Sequence, residues 1–168
     1  MTWTAPDADR TAKPFVADER QRLDSWLDFE RATLLRKCAG LTGEQLARRP
    51  VPTSALSLLG LVRHAAANER VWFRIRFARQ DVADLYEDDR AEFDETDPLR
   101  TEADFAAYLA EVSEARRAVA GHPLDETFGD ESVTVDLRWL YCHMIGEYSR
   151  HNGHADLIRE LVDGATGL

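Results

Sequence analysis

His143-Met144-Ile145-Gly146-Glu147-Tyr148-Ser149-Arg150-His151-Asn152-Gly153-His154 lies inside one long predicted helix. Asp136 is the expected N-cap, no proline interrupts the pattern, and Gly164 supplies the stop. At roughly 100° per residue, His143, Glu147, His151 and His154 fall within about 80° of one another on the helical wheel. Leu140 and Ile158 share that face, so it points at least partly inward. Burying titratable groups is costly unless something binds them. A divalent metal is the partner that neutral imidazole and carboxylate favour together.

Outward from this stretch, the helical period recurs three more times. Asp18 opens a helix to about Ala39, with Leu23, Trp26, Leu27, Leu34 and Leu35 as its inward stripe. Thr42 and Gln45 have the spacing of a capping box for a short turn. Ser57 opens a helix to about Arg79 carrying Leu58, Leu61, Val62, Ala65, Trp72 and Ile75. Thr101 and Asp104 suggest a cap for a helix over 102–120, with Phe105, Tyr108, Leu109, Val112 and Val119 on one side. The acidic stretch 80–100 reads as a surface connection with a helical turn near Phe93, and 133–135 as a short extended piece. Four long amphipathic helices without a set of strands predict an all-α four-helix bundle with short extra helices in its connections, over residues 18–168. Residues 1–17 read as an N-terminal arm.

The 168 residues are 44% hydrophobic, enough for one folded domain. Acidic residues outnumber Lys and Arg 31 to 21, a net charge of −10, which disfavours nucleic acid and anionic membrane surfaces as partners. No basic and apolar leader is evident and no apolar run approaches a membrane span, so the expected compartment is the cytoplasm. Cys38 and Cys142 are too few for a disulfide scaffold and are expected as small buried hydrophobes. The tryptophans Trp26, Trp72 and Trp139 are expected as packing residues.

Glu147 and His151, at i and i+4, can share one ion. A third ligand must come from a facing helix, where His64 is the only histidine. Three protein ligands with an open position are the pattern of a catalytic zinc centre. Cys142 and His143 do not form a nucleophile pair, because adjacent helical residues diverge by about 100°.

Leu61-Val62-Arg63-His64, Glu69-Arg70-Val71-Trp72-Phe73 and Glu147 to His154 together resemble the DinB-like superfamily of helical bundles, which includes bacillithiol transferases and the mycothiol-dependent maleylpyruvate isomerase. Arg48-Arg49-Pro50-Val51-Pro52 and Leu56-Ser57-Leu58-Leu59-Gly60 are similar to an actinobacterial branch. The resemblance spans about residues 18–165. It implies a metal triad of His64, Glu147 and His151, with Glu147 where many relatives carry histidine. His154 stands where many relatives have glutamine, as a fourth ligand, an outer hydrogen-bond donor or a substrate contact; His143 is expected to support or pack. The implied metal is zinc, with nickel open. The implied co-substrate is mycothiol, whose thiolate would attack an electrophilic small molecule in detoxification or small-molecule metabolism. Arg63, Asn68 and Arg150, with Arg70, are candidates to bind the thiol, against the alternative that such arginines are solvated surface charge. Two other functions stay open: a hydrolase using zinc-bound water, and a non-catalytic dimeric metal-binding or stress-related bundle. A homodimer is compatible with each.

Overall fold

A computed structural model describes residues 2–88 and 90–167. Its order is α1 (Glu19–Cys38), α2 (Gly43–Ala47), α3 (Leu58–Glu69), a π-helical continuation of α3 (Arg70–Phe77), α4 (Ala91–Asp94), a 3-10 turn (Pro98–Arg100), α5 (Thr101–Val119), β1 (Thr127–Gly129), β2 (Thr134–Asp136) and α6 (Leu137–Asp163). The four long helices form the expected all-α bundle: α1 packs on α6, α3 on α5, and α3 also meets α6 and α1. Leu27, Leu34, Leu58, Leu61, Leu137, Leu140 and Met144 are fully or almost fully buried between them, each removing roughly 1.5–3 kcal/mol worth of apolar surface from water.

Local signals set the helix ends. Asp18, Ser57 and Asp136 accept from Gln21 N, Gly60 N and Trp139 N, and Thr42 with Gln45 forms a full capping box. Gly164 ends α6 at φ 80°, in the left-handed region where a side chain is strained. Arg159 of α6 donates to the carbonyls of Lys37 and Ala39 at 3.0 and 2.9 Å, satisfying the C-terminal end of α1. The first residues lie along the bundle: Ala5 exchanges backbone bonds with Leu41 and Gly40, and Trp3 meets Phe105 edge-on at 5.3 Å.

Five details differ from expectation. Thr101 is the first residue of α5 rather than its cap; its hydroxyl donates to Pro98 O, and Asp97 caps the preceding turn. Thr134–Asp136 is extended as expected, but it pairs with β1 in an antiparallel hairpin, Phe128 opposite Val135. The second long helix is not uniformly α: after Glu69 it widens, and Ala78 N bonds Phe73 O, five residues back. Trp26, Leu109 and Trp139 are 39%, 49% and 43% exposed and lie outside the core. Lys13 rests 3.8 Å above the Trp26 ring, giving that indole a cation in place of apolar cover. Cys38 is buried, whereas Cys142 is exposed on α6.

Candidate metal centre

His64 comes from α3, and Glu147 and His151 are one turn apart on α6. One ligand atom from each lies within 4.8 Å of the others. The His64 and His151 rings are 4.7 Å apart, nearly edge to face, and His151 Nε2 lies 3.5 Å from Glu147 Oε2. Leu34, Leu61, Ala65, Met144 and Tyr148 line the recess around them. The three side chains are only about one-fifth exposed, so they sit in a partly desolvated pocket, as a metal centre requires.

The donor set suits a divalent cation. Burial, with His64 nearby, holds His151 down to about 4 against an ordinary 6.5, so its ring is a neutral lone-pair donor at neutral pH. Its Nδ1 is buried with no partner among the described residues, and an unsatisfied buried polar atom costs about 1–3 kcal/mol. Such a cost is tolerated where a site is built for something else.

Glu92, which sequence reasoning missed, completes the arrangement. His64 Nδ1 lies 3.2 Å from Glu92 Oε1, and the Asn68 amide nitrogen lies 3.0 Å from His64 Nε2. That pattern assigns the ring proton to Nδ1 and leaves Nε2 as the acceptor. A carboxylate behind a histidine is the usual device for fixing ring orientation and raising ligand basicity. Twenty-eight residues separate His64 from Glu92, and no sequence pattern joins them.

The remaining expected site residues fall in different places. Arg63 is buried and engaged internally: it donates to the carbonyls of Ala91 and Glu92, pairs with Asp104 at 3.1 Å and stacks over Tyr86. It therefore fastens α4, and Glu92 with it, onto α3. Gly60 makes the same contact close, since a Cβ there would meet Phe93 at 3.0 Å. Arg70 is spent on Ala83 O and Glu111. Asn68 does line the recess, and Arg150 is exposed and pairs with Glu147 at 3.3 Å. The His154 ring is 5.4 Å from that of His151, outside the three-residue group, and its Nδ1 is also buried without a partner among the described residues. His143 stacks on Trp139 with ring planes 5° apart and touches Trp72.

Beneath the recess lies a buried polar knot. Glu69 receives Arg31 through two bonds of 2.7 and 2.6 Å and the Tyr148 hydroxyl at 2.7 Å; Tyr108 joins at 3.2 Å from Tyr148. Four helices (α1, α3, α5 and α6) are tied at one point, directly behind the wall that Tyr148 presents to the histidines.

Residues 22–164 match the family described as Mycothiol-S-transferase. The chain belongs to the mycothiol S-transferase family. No curated protein matches it. None of the described helices is long and apolar enough to cross a membrane.

Proposed function

We propose that this protein is a metal-dependent thiol S-transferase of the cytoplasm that activates mycothiol for attack on an electrophilic small molecule. The observation that carries the reading is the convergence of His64, Glu147 and His151, from two facing helices, in a half-buried recess of a mycothiol S-transferase family member. His64 through Nε2, His151 and a Glu147 oxygen would hold the cation, zinc being favoured by imidazole and carboxylate donors. A bound divalent cation favours thiolate over thiol by direct charge stabilisation. The chain's own residues do the rest. Glu92 fixes the His64 ring, and the Asn68 amide occupies the Nε2 side until a cation replaces that contact. Leu34, Leu61, Ala65 and Met144 restrict water around the recess, which strengthens every charge interaction inside it. Arg150 is the one candidate arginine with its guanidinium exposed, and it would meet an anionic or polar part of the thiol. No protein nucleophile is required.

The test is elemental analysis of tag-free protein beside its His64→Ala variant, followed by conjugation assays with mycothiol. About one zinc or nickel per chain, lost in the variant, together with thiol-dependent turnover, is the expected result. Full metal content in the variant removes the bridging site. Metal-dependent turnover that ignores thiol would replace this reading with hydrolysis by metal-bound water.

A further inference from the structure

A second recess opens from the same seam. On α6, Trp139, His143, Glu147 and His151 follow one another at steps of four; on α3 and its π continuation, so do His64, Asn68, Trp72 and Arg76. The two ladders run side by side in opposite directions. His64 meets His151 at 4.7 Å, Trp72 meets His143 at 4.4 Å, and Trp72 meets Trp139 at 5.6 Å. The triad thus occupies one end of the seam, and an indole pair closes the other. Trp139 lies two turns from Glu147, about 12 Å along the helix axis, with His143 midway.

Beyond the indoles is a groove of about 520 Å³, walled by the π segment, the β1–β2 hairpin and the start of α6. That is the size of a small-molecule site. Trp72, Trp139, Ile75 and Val135 give it flat apolar sides; Arg76 and Arg79 give it charge. Neither arginine is in an ion pair among the described residues, whereas their neighbours Arg70 and Arg74 are both bound to Glu111. Arg76 stacks its guanidinium 4.4 Å over the Trp72 ring, which leaves the N–H edge available, and Arg79 gives one donor to Gly129 O. Asp130 also borders the groove; Ser132 and Val133 bond its Oδ1, and those bonds, with a smaller contribution from the charge of Arg76, hold its carboxylate below the usual range.

We propose that this groove binds a planar aromatic carboxylate, the ring against Trp139 and the acid at Arg76. Guanidinium and carboxylate match in charge and bidentate shape, and indole faces favour flat rings. The role of that ligand rests on the transferase reading above: it would be the electrophilic co-substrate, anchored by its acid, with its reacting end extending past His143 towards the triad. The binding itself does not depend on that reading.

Titration of metal-free protein with 2-naphthoate and with the uncharged 2-naphthalenemethanol, followed by calorimetry, separates the two claims. We expect saturable naphthoate binding in the millimolar range or tighter, with the acid preferred over the alcohol by about tenfold. Arg76→Gln should bring the acid down to the affinity of the alcohol, and Trp139→Ala should weaken both at least several-fold. Arg76 is exposed, so its variant tests the site even if the indole change perturbs folding. Equal binding of acid and alcohol by the native protein, or unchanged naphthoate binding in Arg76→Gln, overturns the proposal. Because no metal or thiol is present, failure of the transferase reading leaves this result untouched, and the reverse.

Discussion

Glu69→Gln should be among the most destabilising single changes in this protein, although it removes no volume. Glu69 is fully buried and Arg31 nearly so, and both guanidinium bonds to the carboxylate are short, 2.7 and 2.6 Å. Burial alone would depress the Arg31 guanidinium, yet Glu69 more than offsets it, and Arg31 holds its proton more firmly than usual. Glutamine keeps one acceptor oxygen but presents an amide N–H₂ where Arg31 or Tyr148 donates. The result is a buried cation whose remaining counter-charge is the part-exposed Asp28, 2.9 Å from its Nη1 and shared with Arg116, and breaking a buried pair from one side costs up to about 3–5 kcal/mol. For a chain of this length that is roughly 6–20 °C in Tm. The assay is urea unfolding by circular dichroism, with the m-value required to stay constant so that midpoints report stability. Tyr148→Phe, which removes one bond to a charged acceptor, should cost only about 1.5–3 kcal/mol. Converting the pair together (Arg31→Met with Glu69→Leu) should recover most of the loss, because apolar replacement of a buried pair is often neutral. A Glu69→Gln loss below about 1 kcal/mol, or a double variant as unstable as the single one, would refute the view of this knot as a mutually dependent charge pair.

Metal-free protein should lose stability as pH falls from about 6.5 to 4. His151 has its folded value near 4 against 6.5 unfolded, so the unfolded chain takes up the proton first and stability rises with pH across that window, by on the order of 2–3 kcal/mol. His151→Leu should flatten this part of the profile; identical slopes for the two proteins would show that His151 is not held neutral. Glu92→Gln should weaken zinc affinity by about 10–100-fold while leaving far-ultraviolet dichroism unchanged, as measured by competition with a chelating dye; unaltered affinity would remove Glu92 from the site. Gly153→Ala, in an α6 position where a Cβ would meet nothing within 4 Å, should raise stability by about 0.5–1 kcal/mol in the same urea assay. A loss there would mean the exposed turn beside His154 is tighter than its geometry indicates.

The bundle was legible because its signals are local. Asp18, Thr42, Ser57, Asp136 and Gly164 mark helix ends through side chains or φ values that act within three or four residues. Glu147 and His151 were legible for the same reason, and His64 followed as the only histidine on a facing helix. What escaped depends on distant partners. Glu92 meets His64 only because buried Arg63 pins α4, and an arginine beside a histidine reads from sequence as a ligand-binding charge. Trp26 and Trp139 have helical core spacing, yet their cover comes from Lys13 and His143 instead of the core. The π widening after Glu69 also has no signature in the apolar period, since Phe73 and Phe77 keep a four-residue step while the backbone coil changes beneath them.

The seat of α4 has a thermodynamic consequence. Glu92 orients His64 from within the long acidic connection between α3 and α5, not from the bundle's rigid walls. Docking of that connection and capture of a cation by His64 therefore share one hydrogen bond. Linkage is reciprocal: whatever factor docking adds to cation affinity, the cation adds to docking. Hydrogen exchange in residues 84–88 and 90–95 would then slow on metal loading, because Glu92 and Phe93 both lie against His64. The open entrance lined by Asp84, Leu85, Tyr86 and Asp88 beside His64 would be narrowed by the very ion it admits.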